Sequence, residues 1–200
     1  MTSKTLKLFI QVKEFLSKDK NDSHKVTGHP SPTMKCFSYF ALPAAPKNHC
    51  DEVYPGVWLG DADCAKKLSV LKEMKVTHVL NVCMGNRFNQ VETNEEFYKE
   101  ANISFHGIPA LDVPTFKILP YLEPAADFID NALAKGGVVY IHCQQGISRS
   151  ATVVIAFLML RRRMDLLTAV QQVRGRREIC PNEGFLKQLC SLNEDILSKR

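Results

Sequence analysis

The chain has 200 residues and a formal net charge of +5, with 45% hydrophobic and 24% charged residues. This balance is typical of a globular protein and excludes a disordered chain, and the length suits one ordinary domain with some excess or two small ones. The mild positive charge favours anionic substrates through long-range attraction, but it is too small to indicate a nucleic-acid-binding protein.

The first predicted element is an amphipathic helix over residues 5–18, where apolar residues recur at helical spacing in TLKLFIQVKEFLSK. Residues 19–47 are polar and contain prolines, which predicts a flexible connection. We therefore divide the chain into an N-terminal helix and flexible linker over residues 1–47 and a catalytic domain over residues 48–200. The helix is expected to pack on that domain.

Strand-like and helix-like patterns alternate after residue 48. In chain order they predict a strand with a turn at 52–60, a helix at 62–74, a strand at 77–82, a short helix at 95–100, a strand at 103–109, a helix at 118–134, a strand at 138–142, and helices at 147–163, 164–176 and 182–197. This alternation predicts an α/β domain whose central sheet of about five strands is mostly parallel and carries helices on both faces.

Seven cysteines are present, an odd number with no C-x-x-C pair. This pattern favours neither a secreted disulfide framework nor a zinc site, so we expect no metal, no cofactor and reduced thiols in the cytoplasm and/or nucleus. The most apolar run, residues 151–160, is far too short to span a bilayer, and lysines interrupt the apolar N-terminal stretch. We therefore expect no membrane partner.

The segment with the clearest chemical meaning is VVYIHCQQGISRS at residues 138–150. It predicts an apolar strand, a loop and the start of an apolar helix, so that Cys143 lies where α/β sheets bind ligands. The helix N-terminus and curled backbone N–H groups can bind an anion, and Gly146 supplies the dihedral angles that such a curl needs. Arg149 can offer paired donors to two phosphate oxygens, which lysine cannot do.

The same positive field acts on the thiol of Cys143. A free cysteine has a pKa of about 8.5, and helix N-termini and nearby cations lower it to ~3.5–7.5. We therefore expect a thiolate that attacks phosphorus and gives a phosphocysteine, which water then hydrolyses. Ser150 can donate a hydrogen bond to the sulfur and ease its departure. Under oxidation, Cys64 and Cys83 are candidates for a disulfide with this thiolate.

These residues carry a family resemblance. The string from His142 to Arg149 resembles the HCxxGxxR loop of the protein tyrosine phosphatases, and HCQQGISRSAT resembles their dual-specificity branch. CDEVYPGVWLGDA, THVLNV, YLEPAADFIDNAL and RREICPNEGFLKQLCSLNE are similar to the small atypical dual-specificity phosphatases related to the poxvirus enzyme. The likeness runs from about residue 50 to residue 193 and implies hydrolysis of phosphotyrosine, phosphoserine and phosphothreonine in proteins. Kinship suggests a MAP kinase as a substrate.

The resemblance also implies roles for residues outside the loop. Asp112, in FHGIPALDVPTF, corresponds to the proton donor of the family, and since an unperturbed Asp has a pKa of about 3.9 we expect an acidic rate optimum. Arg177 is expected to form a second basic pocket or, alternatively, to be a solvated helix residue. Phe88 is expected to pack on the phosphoaromatic ring or to anchor its loop, and Asn182 to brace the phosphate-binding loop.

The remaining loop positions bear on the substrate class. His142 is expected to orient the loop or tune the thiolate. The other four positions, which are uncharged, favour a phosphoprotein over a phosphoinositide: they are Gln144, Gln145, Ile147 and Ser148. The sequence has no stripe of alternating basic and aromatic residues, the pattern that would indicate an RNA substrate. The alternatives to a protein phosphatase are a catalytically weak phosphopeptide-binding scaffold and a sulfur-transferring or arsenate-reducing enzyme. We expect the protein to be a monomer or a weak homodimer.

Overall fold

The computed structural model describes residues 2–18 and 45–199, and a sheet of five strands lies at its centre. The strands are β1 (Cys50–Tyr54), β2 (Val57–Gly60), β3 (His78–Asn81), β4 (Ser104–Gly107) and β5 (Val139–His142). Their order is β1-β2-β5-β3-β4, and only β1 and β2 pair in antiparallel fashion. The prediction of a mostly parallel sheet of about five strands is confirmed.

Eight helices surround this sheet in the described ranges. They are α1 (Ser3–Ser17), α2 (Ala62–Ala65), α3 (Leu68–Glu73), α4 (Glu95–Lys99), α5 (Leu119–Ala134), α6 (Arg149–Arg161), α7 (Leu166–Arg176) and α8 (Glu183–Ser198). None of them combines the length and apolarity that crossing a bilayer requires. The elements predicted at 52–60 and 62–74 each divide in two, the first at the turn before β2 and the second between α2 and α3.

A hydrophobic core covers each face of the sheet because successive side chains of a strand point to opposite sides. Leu80 and Ile141 belong to the larger core, together with side chains of α5, α6 and α8. Their strand neighbours Val79 and Tyr140 belong to the smaller core on the other face. Both faces of β5 are therefore buried, as expected for an apolar strand in the middle of a parallel sheet.

The carboxyl end of β5 is held from both sides. His142 lies in register with Gly60 of β2 and with Asn81 of β3. Because all three strands run in the same direction, the segments that follow them meet at one edge of the sheet. That edge carries the loop that the sequence analysis singled out.

Helix α1 packs against α7 and α8, and it buries Phe9 and Val12 in the larger core. The Thr2 hydroxyl donates a hydrogen bond to Glu194 of α8 at 2.6 Å, and Arg174 of α7 donates to the carbonyl oxygen of Lys18 at 3.2 Å. The predicted N-terminal helix is thus attached to the rest of the fold. Most of the predicted linker, residues 19–44, lies outside the described residues.

Candidate active site

The loop of residues 143–149, here called the anion loop, joins β5 to α6. Gly146 has a φ of +69°, and a Cβ at this position would lie 2.3 Å from the carbonyl oxygen of Gly60, so only glycine fits. Among the described residues, five backbone N–H groups of the loop make no hydrogen bond to protein: those of Gln144, Gln145, Ile147, Ser148 and Arg149. With the N-terminus of α6 beside them, these groups are available to an anion.

Cys143 lies at the base of the loop. The residue is only 2% exposed, yet it lines a cavity of about 300 Å³ that opens to solvent. Its sulfur accepts hydrogen bonds from the Ser150 hydroxyl at 3.2 Å and from the Gly146 N–H at 3.3 Å. Burial opposes ionisation of the thiol, but the Arg149 guanidinium and these hydrogen bonds outweigh it and lower the pKa of Cys143 below its ordinary value.

The guanidinium of Arg149 is buried against the same cavity. Nη1 donates to the carbonyl oxygens of Asn89 at 2.7 Å and Ala110 at 3.2 Å, and Nη2 donates to Asn89 Oδ1 at 3.0 Å. Nε makes no hydrogen bond and lies 3.6 Å from Asp112 Oδ2. Because a buried donor without an acceptor is costly, Nε is the donor that a bound oxyanion would satisfy.

Asn89 is a site residue that the sequence analysis did not identify. Both its backbone oxygen and its side-chain oxygen accept hydrogen bonds from Arg149, and its φ is +62°. Asparagine tolerates this left-handed conformation better than most residues. The only signal in the sequence is an asparagine in a polar loop after a buried strand, which does not separate it from an ordinary turn residue.

The Asp112 carboxylate faces the cavity from the other side. Oδ1 accepts hydrogen bonds from Ser148 Oγ at 2.7 Å and from Asn182 Nδ2 at 2.8 Å. Asn182 also caps α8 through its own Oδ1, which accepts from the Phe185 N–H at 3.0 Å. Since Oδ1 already accepts two hydrogen bonds, Oδ2 is the oxygen that can carry a proton to a substrate.

Arg177 lies beneath the anion loop, where it also lines a second cavity of about 260 Å³ together with Gln144 and Gln145. Its side chain is 1% exposed, and it donates to the carbonyl oxygens of Gly146 at 2.9 Å and Gln145 at 3.0 Å and to the Asp51 carboxylate at 2.8 Å. The alternative of a solvated helix residue is therefore wrong, whereas the second basic pocket stays a prediction. Arg177 fixes the loop carbonyls on the side opposite the cavity that Cys143 lines.

His142 and Phe88 lie outside the cavity lining. His142 is fully buried, with Nδ1 3.2 Å from the Cys143 carbonyl oxygen, and burial lowers its pKa to about 4, so that the imidazole is neutral near pH 7. Phe88 is 99% exposed, which rules out the alternative that it anchors its loop. The predicted contact of Phe88 with the phosphoaromatic ring of a substrate stays a prediction.

A cluster of three potential metal ligands was not anticipated from the sequence. Ligand atoms of His49, Asp61 and Asp63 lie within 4.8 Å of one another. His49 Nδ1 is 2.6 Å from Asp61 Oδ2, and two of the three side chains are exposed. This hydrogen-bonded pair accounts for the arrangement, and it lies outside the cavity lined by Cys143.

Alkylation tests the state of the nucleophile. We expect iodoacetamide to modify Cys143 at a rate that reaches its plateau well below about pH 8.5, the range in which an ordinary thiol ionises. Ser150→Ala should move that plateau to higher pH, because it removes a hydrogen bond to the thiolate, whereas the exposed Ser191→Ala should not. Mass spectrometry of tryptic peptides measures the rates, with Cys190, whose pKa burial raises to about 11, as the unreactive internal reference. A Cys143 rate that first rises above pH 8.5 would contradict the thiolate.

Comparison with known proteins places these residues in context. The family described as dual specificity phosphatase, catalytic domain, matches residues 57–195. Human dual specificity protein phosphatase 13B is 46% identical over 154 residues, which cover 76% of this chain and 77% of that protein. Mouse dual specificity protein phosphatase 26 is 42% identical over 150 residues, which cover 74% of this chain and 69% of that protein. The crystal structure of human DUSP28 superimposes with a TM-score of 0.66 at 29% identity, covering 77% of this chain and 99% of that one.

Proposed function

This chain belongs to the dual specificity phosphatase family, and we propose that it hydrolyses phosphotyrosine, phosphoserine and phosphothreonine in proteins through a phosphocysteine on Cys143. The observation that best supports the proposal is the composition of one cavity of about 300 Å³. It contains a thiol whose pKa is lowered, an Arg149 Nε without an acceptor and the Asp112 carboxyl group. These are a nucleophile, an oxyanion donor and a proton donor.

In the first step the Cys143 thiolate attacks phosphorus, and the S–P bond forms as the ester P–O bond breaks. Asp112 gives its proton to the leaving oxygen. In the second step water attacks phosphorus and loses a proton to Asp112, while the sulfur leaves as a thiolate stabilised by Ser150. Arg149 and the backbone N–H groups of the anion loop hold the oxygens of the transferring group in both steps.

The lining of the cavity supports a singly phosphorylated side chain as the substrate. Gln144, Gln145, Ile147 and Ser148 line it and add no charge to that of Arg149. Arg177 adds none either, because its donors are bound to loop carbonyls and to Asp51. One guanidinium and one ring of N–H groups suit one phosphoryl group, whereas a phosphoinositide with several phosphates needs further cations.

The experiment that tests the proposal measures phosphate release from three peptides of one sequence that carry phosphotyrosine, phosphothreonine or both. A doubly phosphorylated MAP kinase activation-loop peptide is added because kinship within the family suggests that substrate. We expect saturable turnover of all of them and of p-nitrophenyl phosphate. Binding of the phosphopeptides without phosphate release would overturn the proposal in favour of a phosphopeptide-binding scaffold. Turnover of phosphoinositides but not of the phosphopeptides would show that proteins are not the substrate class.

Removal of the proton donor gives a second test. We expect Asp112→Asn to lower kcat for phosphothreonine peptides by about 10²–10³-fold, because the leaving alkoxide then departs unprotonated. The loss should be smaller with p-nitrophenyl phosphate, whose leaving group is a weaker base, and the decline in rate at high pH should disappear. Profiles of kcat against pH measure both effects, with the exposed Asp195→Asn on α8 as the matched control. An Asp112→Asn profile identical to that of the unsubstituted chain would exclude this role.

A further inference from the structure

Two cysteines outside the catalytic cavity lie side by side. Cys50 begins β1 and Cys64 lies in α2, and their sulfur atoms are 3.8 Å apart. Both side chains contact the smaller core, where Cys64 is 3% exposed and Cys50 is partly exposed. We propose that Cys50 and Cys64 form a reversible disulfide and so constitute a modification site separate from Cys143. The proposal does not depend on the proposed function.

The fold brings these two sulfurs together and restricts their movement. Cys50 lies opposite Gly60 in the β1–β2 pair, and its Cβ would lie only 2.7 Å from a Cβ at Gly60. Asp61 caps α2 by accepting a hydrogen bond from the Cys64 N–H at 2.9 Å, and the Tyr140 hydroxyl donates to the Asp61 carbonyl oxygen at 2.9 Å. A disulfide requires sulfurs about 2.05 Å apart, so each must move by roughly 0.9 Å, which small rotations about χ1 provide.

The two thiols of the pair differ in pKa, and this difference suits oxidation to a disulfide. The hydrogen bond between the two thiols lowers the pKa of Cys64 to about 6 and raises that of Cys50. We therefore take Cys64 as the attacking thiol and Cys50 as the resolving thiol. Cys50 lines an opening of about 440 Å³, so a small peroxide approaches the pair from the Cys50 side, with the Cys64 sulfur 3.8 Å behind it.

The reaction that we propose uses hydrogen peroxide as the oxidant. The Cys64 thiolate attacks one peroxide oxygen, the O–O bond breaks, and a sulfenic acid and hydroxide form. The Cys50 sulfur then attacks the sulfenic sulfur, the S–O bond breaks, and the hydroxyl group leaves as water with the Cys50 proton. In sum, two thiols are oxidised to one disulfide and one peroxide is reduced to two waters. A thiol reductant reverses the change.

The disulfide would join two elements that support the anion loop. Asp51, next to Cys50, accepts a hydrogen bond from Arg177, which in turn donates to the carbonyl oxygens of Gly146 and Gln145. The N–H of Ala62, in the same helix as Cys64, donates to the Gln144 carbonyl oxygen at 3.2 Å. Oxidation should therefore stabilise the fold without displacing the loop, and it should raise the midpoint of thermal unfolding by about 5–10 °C.

The test uses the full chain carrying Cys143→Ser, so that the catalytic thiol takes no part. No Lys or Arg lies between Lys47 and Lys66, so trypsin releases both cysteines on one peptide, residues 48–66. After peroxide treatment and thiol blocking, we expect this peptide to carry no blocking groups. Its mass should be two hydrogens below that of the same peptide with both thiols reduced. Chymotrypsin, which cuts after Trp58, should leave its halves joined until dithiothreitol is added.

Single variants and the thermal midpoint decide the outcome. Cys50→Ser and Cys64→Ser should each abolish both the lighter peptide and the rise in midpoint, whereas Cys190→Ala should leave both unchanged. The proposal is overturned if peptide 48–66 carries two blocking groups after peroxide treatment, or if Cys64 is linked to a different peptide. It is also overturned if the thermal midpoint of Cys50→Ser rises as much as that of the parent.

Discussion

Cys143→Ser is expected to lower kcat for p-nitrophenyl phosphate by about 10⁴–10⁶-fold and to leave the fold intact. A serine hydroxyl occupies nearly the same volume as the thiol, but the field of Arg149 and the hydrogen bonds from Ser150 and Gly146 cannot ionise an alcohol at neutral pH. The donors that hold an oxyanion are unchanged. The variant should therefore still bind phosphopeptides while it no longer turns them over.

Two measurements check this expectation. The release of p-nitrophenol gives the rate, and an acid quench with a ³²P-labelled phosphopeptide detects the covalent intermediate, which should be present in the parent and absent in Cys143→Ser. Cys190→Ala on α8, whose side chain lies in the larger core rather than the cavity, is the matched control and should keep both signals. If Cys143→Ser were labelled with ³²P as strongly as the parent, a residue other than Cys143 would be the nucleophile.

Arg149→Lys is expected to lower kcat/KM by about 10³-fold, although it keeps the positive charge. The guanidinium donates to Asn89 and to the Ala110 carbonyl oxygen and still has Nε free for the substrate. A single ammonium group cannot serve all of these acceptors, so the buried oxygens of Asn89 lose their donors. The pKa of Cys143 should also rise, because the charge is no longer held beside the sulfur.

Steady-state kinetics, orthovanadate binding and the alkylation profile of Cys143 measure this effect. Vanadate, a phosphate analogue, should bind much more weakly to Arg149→Lys, and the alkylation profile of Cys143 should move to higher pH. Arg176→Lys, an exposed arginine of α7, is the matched control and should match the parent in all three measurements. If Arg149→Lys retained kcat/KM within a few-fold, the guanidinium would not be the group that holds the phosphoryl oxygens.

Local sequence patterns predict the fold well because each strand and helix has its own periodicity. The apolar run before His142 predicts a buried strand, and Cys143 therefore falls at the edge of the sheet. The division of the helix predicted at 62–74 depends on distant partners. The Ala65 carbonyl accepts from the Tyr98 hydroxyl, and the Ala62 N–H donates to the Gln144 carbonyl oxygen. No local sequence pattern predicts such contacts between distant residues.

The same distinction separates the site residues. The spacing of Cys143, Gly146 and Arg149 predicts their proximity because one loop carries all three. The burial of Arg177 was not predicted because its partners are backbone carbonyls of that loop and Asp51, far away in the sequence. Asn89 was missed because its importance rests on a φ of +62° and on the position of Arg149, neither of which leaves a pattern in the sequence.

The order of the strands has a consequence for biosynthesis. β5 pairs with β2 on one side and with β3 on the other, and both of these strands are translated long before it. Until residues 139–142 leave the ribosome, the facing edges of β2 and β3 have no partner, so the nascent chain exposes unpaired backbone and apolar surface. Because such long-range pairings form slowly, we expect the nascent chain to be prone to aggregation until β5 is available to pair with both strands.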